Sequence, residues 1–207
     1  PLIVDDKVIV QPGGSNGRSF VAYNKDTGAR LWTSLEDKQA YTSPELVELA
    51  GRRQILAVTA ERVVGLDPAN GRLLWDFPWT TEYDVNSAQP IPASSNTFMI
   101  SAGYGHGAAL VEVTSSGDRF TARQVWFTNR LKTKFNSSVL YNGYFYGLDE
   151  GILACIDLRT GEQKWKGGRY GKGQILLLAN SGLLLILAEQ GQAVLVPAEP
   201  TEHREIA

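Results

Sequence analysis

The chain has 207 residues, 43% of them hydrophobic and 20% charged, and a formal net charge of −2. That composition is ordinary for a globular protein, and the length is enough to bury a substantial core. The charge balance leaves no electrostatic footprint for nucleic acid, and no apolar run approaches the length of a membrane-spanning helix.

In chain order, the first predicted strands are Leu2–Val4 and residues 8–10, parted by Asp5-Asp6. Gly13-Gly14-Ser15-Asn16-Gly17 follows and matches G-x-S-x-G. A nucleophile elbow needs a helix after it. Here Phe20-Val21-Ala22-Tyr23 reads as another strand, so the segment is a glycine-rich loop. Next comes N-K-D-T-G-A-R-L-W, from Asn24 through Gly28 to Trp32. An Asn or Asp can bond its own backbone two residues on and start a turn. Glycine supplies the positive φ that the turn needs. The Trp then lies on the returning strand, where a large ring can pack against a neighbouring unit.

The second unit pairs Glu45–Leu49 with residues 54–58, then runs from Val63 into D-P-A-N-G-R-L-L-W, with Asp67, Gly71 and Trp75. A degenerate third copy runs from Val113 through Gly117 to Trp126, with a longer turn. Within that unit Gly103-Tyr104-Gly105-His106-Gly107 lacks the spacing and the following helix of a dinucleotide loop. The fourth unit pairs Val139–Tyr141 with residues 145–146 around Asn142-Gly143 and ends in D-L-R-T-G-E-Q-K-W, with Asp157, Gly161 and Trp165. Its strand 152–156 carries Cys155, the only cysteine, read as a buried and unreactive thiol. Gly171-Lys172 lacks the flanking residues of a phosphate-binding loop, and Asn136-Ser137-Ser138 is a formal glycosylation sequon. The fifth unit has no Trp but keeps the strand rhythm at 176–178, Leu183–Leu187 and 193–196, with 203–206 as its outer strand.

The four repeat Trp are 43, 51 and 39 residues apart. Self-similarity at such a period marks a propeller or an array, and four strands per unit make a propeller blade. The expectation is an all-β chain of about five blades, at 1–40, 41–85, 86–132, 133–172 and 173–207, forming one propeller segment.

The three good copies and one degenerate copy resemble the PQQ-like (pyrroloquinoline-quinone-type) propeller repeat, whose signature is Asp-x-x-Thr-Gly-x-x-x-Trp after a hydrophobic strand. The resemblance covers nearly the whole chain. It implies a ring of about seven or eight blades, so the chain, which opens on Pro1 directly in a strand, is read as an excerpt. Similar repeats occur in uncharacterised bacterial proteins, in the assembly lipoprotein of the outer-membrane β-barrel machinery and in quinone-dependent alcohol dehydrogenases. The resemblance alone implies a periplasmic or extracellular location.

Two functions follow from it. One is a non-catalytic scaffold that binds a protein, peptide or glycan in the bacterial cell envelope, with no cofactor or metal. The alternative is a fragment of a PQQ- and calcium-dependent alcohol dehydrogenase. That family holds Ca²⁺ by Glu and Asn oxygens and uses an Asp as base. This chain has no vicinal Cys pair and no stretch that matches those motifs; Glu82, Asp84 and Asn86 are its nearest oxygen donors. The scaffold reading is preferred.

In a propeller the connections from outer to next inner strand share one face. Here they are long, at 35–43, 77–89, 128–137 and 167–174. The candidate binding face is Trp79, Tyr83, Asn86, Arg130, Lys132, Lys134 and Tyr170, aromatics with a few polar groups. Trp79 lies outside the repeat register and is the candidate for stacking on a flat ligand. The repeat residues Gly28, Trp32, Gly71, Trp75, Trp126, Gly161 and Trp165 are assigned to architecture. Open edges of a partial ring are expected to favour self-association.

Overall fold

The computed structural model describes all 207 residues and contains no α-helix. Its strands form five antiparallel sheets, each a meander of strands consecutive in sequence. The first comprises β1 (Leu2–Val4), β2 (Lys7–Val10), β3 (Phe20–Asn24) and β4 (Arg30–Ser34). The second comprises β5 (Glu45–Leu49), β6 (Arg52–Val58), β7 (Arg62–Leu66) and β8 (Leu73–Pro78). The third has β9 (Ile91–Pro92), β10 (Thr97–Ala102) and a long hairpin, β11 (Gly107–Ser116) with β12 (Arg119–Thr128). The fourth has β13 (Val139–Tyr141), β14 (Tyr144–Asp149), β15 (Ile152–Asp157) and β16 (Gln163–Arg169). The fifth has three strands, β17 (Gln174–Leu178), β18 (Leu183–Leu187) and β19 (Ala193–Pro197). These are the blades of a PQQ-like propeller.

Residues 203–206 do not form the expected fourth strand of the last sheet. The tail is nevertheless tied to the β19 edge, because Ile206 N–H donates to the Leu195 carbonyl at 2.9 Å and Leu195 N–H donates to the Ala207 carbonyl at 2.8 Å. Two single 3₁₀ turns, Glu82–Asp84 and Ala179–Ser181, lie in connections.

The hairpin motif folds the same way three times. Gly28 N–H donates to the Asn24 carbonyl, Gly71 N–H to that of Asp67 and Gly161 N–H to that of Asp157, at 2.9, 2.8 and 2.9 Å. The first side chain of each motif holds the turn from inside: Oδ1 of Asn24, Asp67 and Asp157 accepts the N–H two residues on, at 3.1, 2.9 and 2.8 Å. Gly28, Gly71 and Gly161 sit at φ +72°, +73° and +73°.

The chain divides into two compact units, Pro1–Asn86 with Ser94–Thr97 and Glu112–Arg123, and Ser87–Ala93 with Phe98–Val111 and Gln124–Ala207. In unit 1, Val4, Ile9, Phe20, Ala22 and Trp32 of the first sheet pack on Ile55, Ala57, Val64 and Leu66 of the second. In unit 2, Phe145, Ala154 and Ile156 of the fourth sheet pack toward Met99, Ala108 and Leu110 of the third. The alternate residues Tyr146, Leu153, Cys155 and Trp165 pack toward Leu184, Ile186 and Val196 of the fifth. Successive side chains of a strand point to opposite faces, so the nearly continuous apolar run of β15 serves a fourth sheet that is buried on both faces.

Three of the four repeat Trp, Trp32, Trp126 and Trp165, seat on the following unit. A Cβ added to Gly71 would lie 2.5 Å from Trp32 Cε3, and one on Gly161 would lie 2.9 Å from the Trp126 ring. Trp126 Nε1 donates to the Leu158 carbonyl at 2.8 Å, and Trp165 Nε1 to that of Glu199 at 2.7 Å. Trp75 sits on Gly65 of its own sheet and donates to Gln54 Oε1 at 2.5 Å. Cys155 is fully buried, and burial pushes its thiol up to about 12.

Candidate functional site

In unit 1 the connection after β4 is fixed by a buried ion pair. Arg62 reaches Asp37 with Nε and Nη2, each at 2.8 Å. Burial works against the Asp37 charge, but the Arg62 hydrogen bonds prevail and hold the carboxyl below its usual range. Ala60 N–H then donates to the Lys38 carbonyl at 3.1 Å, and Tyr41 N–H to the Asn86 carbonyl at 2.8 Å. Asn86 is the second anchor. It is 1% exposed, and its Nδ2 donates to the carbonyls of Thr59, Ala60 and Trp79 at 3.0, 3.3 and 3.3 Å.

Trp79 does not offer the stacking platform that its place outside the repeat register suggests. It is 3% exposed, stacked on Phe77 with ring centroids 6.2 Å apart. A Trp just past the end of β8 still has a core side within reach, which repeat spacing does not reveal. Tyr83 is the opposite case, 73% exposed, and Tyr41 of the preceding connection is 74% exposed. Both line a depression of about 180 Å³ with Lys38, Gln39, Ala60, Asp84 and Val85. Lys38 Nζ donates to Asp84 Oδ2 at 2.9 Å.

In unit 2 the segment after β12 is pinned in the same manner. Asp149, nearly fully buried, accepts Lys132 N–H at 2.9 Å, pairs with Lys132 Nζ at 2.8 Å and is also paired with Lys166. Lys132 therefore fastens the loop. Lys134 lies along Gly103, its Nζ 4.1 Å from the centre of the Tyr104 ring and 3.9 Å from Glu150. Arg130 is exposed. Tyr170 is not: it is 4% exposed, and its hydroxyl joins His203 Nε2 at 2.8 Å and Glu205 Oε1 at 2.7 Å. Its burial and the Glu205 bond both push its pKa upward. Asn136 of the sequon is buried, and Phe135 beside it is half-exposed, with Lys172 Nζ 5.9 Å from its ring centre.

Of the seven predicted face residues, Tyr83 and Arg130 thus stand in solvent, Lys132 and Lys134 are partly covered and engaged, and Trp79, Asn86 and Tyr170 are buried anchors. Tyr104 and Glu150 come from turns between the second and third strands of their sheets, a set of connections that the sequence reading leaves out.

The oxygens of Glu82, Asp84 and Asn86 do not suit a calcium–quinone centre. Asp84 is bonded to Lys38, Asn86 is buried with its Nδ2 on main-chain carbonyls and only its Oδ1 left without a partner, and no three His, Cys, Asp or Glu side chains converge anywhere.

The hairpin geometry and the sheet order identify the repeat, and a comparison of the sequence with family models agrees. The family described as outer membrane protein assembly factor BamB matches residues 1–167. The chain belongs to that family. No curated protein matches the chain. Among solved structures, BamB from Moraxella catarrhalis superposes with a TM-score of 0.68 at 15% identity, over 97% of this chain and 60% of that one. The computationally designed Ika8 protein gives 0.62 at 11% identity, over 98% and 58%. A europium-containing methanol dehydrogenase gives 0.52 at 13% identity, over 86% and 43%. At such identities the likeness is one of fold. The chain spans about 60% of the length of the BamB structure.

Proposed function

We propose that the chain is a non-catalytic propeller scaffold that binds a protein partner in the periplasm of a bacterial envelope, in the service of outer-membrane protein assembly. The observation that carries this reading is membership of the BamB family across residues 1–167. The loop geometry supports it. Arg62–Asp37, Asn86 and Lys132–Asp149–Lys166 hold long connections rigid, while Tyr41, Tyr83 and Arg130 extend into solvent. Pre-ordered aromatic and Arg side chains suit a protein interface, because little freedom is lost on binding.

Crosslinking in the envelope of a host that carries the outer-membrane assembly machinery, followed by mass spectrometry, tests the reading. Links to assembly proteins should map to the connections that carry Tyr41, Tyr83, Arg130 and Phe135. Links concentrated at the Gly28, Gly71 and Gly161 hairpins, at the other ends of the strands, would refute the assigned surface. The dehydrogenase alternative rests on shared fold with the methanol dehydrogenase alone. Dye-linked alcohol oxidation with added PQQ and Ca²⁺ that vanishes in Asp84→Ala would overturn the scaffold reading.

A further inference from the structure

The two most exposed large apolar side chains of the chain, Tyr41 and Tyr83, line the same depression of unit 1. Lys38 and Asp84 bring an ammonium and a carboxylate to it, beside Gln39, Ala60 and Val85. Because Lys38 and Asp84 are paired at 2.9 Å, the depression carries donors and acceptors with no net charge. Its volume, about 180 Å³, falls below the roughly 300–1,000 Å³ of pockets that enclose a whole small molecule. It has room for one ring of a larger ligand.

The backbone beneath is strained. Tyr83 and Asp84 sit in succession at φ +66° and +56°. Positive φ is uncommon for such residues and unfavourable. Such strain persists only where the surroundings over-determine it, and it clusters at ligand clamps. Here Thr81 Oγ1 donates to the Val85 carbonyl at 2.8 Å and Asp84 N–H to that of Thr81 at 3.2 Å, between the buried Trp79 and Asn86. The tight turn brings Tyr83 and Asp84 to the mouth of the depression and holds them there.

We propose that this depression is a saccharide-binding subsite, in which Tyr41 and Tyr83 stack on the C–H face of one neutral hexose unit and Lys38 and Asp84 bind its hydroxyls. A hexose ring is amphipathic. Its C–H bonds carry partial positive charge, which the negative face of an aromatic ring attracts. Its adjacent hydroxyls each donate and accept, so a carboxylate beside an ammonium matches two neighbours at once. A free anion meets Asp84 and a free cation meets Lys38. The subsite goes beyond the scaffold reading and does not depend on it.

Titration of the ¹⁵N-labelled chain with maltotetraose, cellotetraose and chitotetraose tests the proposal. At least one should bind saturably, in the millimolar range, and shift the amides of residues 38–41 and 83–85. Tyr83→Ala and Asp84→Asn should each weaken that binding about tenfold, with thermal midpoints near that of the parent, while Tyr83→Phe retains it. No saturable response to any of the three, or a response that the first two variants leave intact, overturns the proposal. So does a saturable response at the same amides to an uncharged dodecapeptide with none to the saccharides, which would give the depression to a protein ligand. Envelope crosslinking is scored separately, so loss of sugar binding leaves the scaffold reading standing, and the reverse.

Discussion

Three glycines with nearly the same backbone angle experience different surroundings. A Cβ on Gly28 would meet nothing within 4 Å, whereas one on Gly71 would strike the Trp32 ring at 2.5 Å. Gly28→Ala should therefore cost only the left-handed backbone strain, about 1–2 kcal/mol. Gly71→Ala should lose a further 1–3 kcal/mol or so through overpacking. Urea denaturation of the two variants measures the difference, and equal losses would contradict the Trp32 seat. Asp37 makes a second prediction at this scale. Its carboxyl is held low in the folded chain, so it stabilises the fold above its unfolded pKa of about 4. That contribution fades as the pH falls through the lower, folded value. Asp37→Asn should be less stable at neutral pH and lose less of its stability on acidification below about pH 4. Parallel denaturation curves across that range would show the Arg62 pair to be inert.

At the scale of elements, the last sheet depends on a clasp. Tyr170, just beyond β16, binds His203 and Glu205 through one hydroxyl, and His203 also packs edge-on to Trp165 at 5.8 Å. Tyr170→Phe should cost about 1–2 kcal/mol and speed hydrogen exchange at the Ile206 and Leu195 amides, whose partners lie across the tail and β19. Unchanged exchange there would mean that the tail holds without the clasp. None of this was legible in the sequence, because it joins residues more than 30 positions apart. What was legible is local. Asn24, Asp67 and Asp157 close their turns within four residues, and alternation around Cys155 gives both faces of its strand. The burial of Trp79, Asn86 and Tyr170 was missed for the same reason in reverse: an aromatic or amide in a connection reads as surface until its distant partners are known. The exposure of Tyr83 was legible, but its neighbour Tyr41 gained significance only once both were seen to line one depression.

At the scale of the whole 207-residue chain, the fifth sheet presents an apolar face to solvent. Leu176, Leu185 and Leu195 lie opposite one another across its three strands, on the side away from the unit 2 core. Leu176 and Leu187 are 58% and 54% exposed. Contiguous apolar surface of this kind associates. The weight-average mass in sedimentation equilibrium should rise with concentration, and Leu176→Lys with Leu187→Lys should return it to that of a single chain. A mass independent of concentration in the parent would contradict the expectation. The chain's build from sequence-adjacent meanders also has a kinetic consequence. Strand pairing within a sheet can proceed as soon as that sheet leaves the ribosome. The seat for Trp32 is a glycine of the following hairpin, and the same holds for Trp126. At about 5–20 residues per second, the first and third sheets therefore each show an unseated indole for several seconds before the next sheet emerges. Pauses in translation placed just after Trp32 or Trp126 should be the moments when the nascent chain is most prone to aggregate.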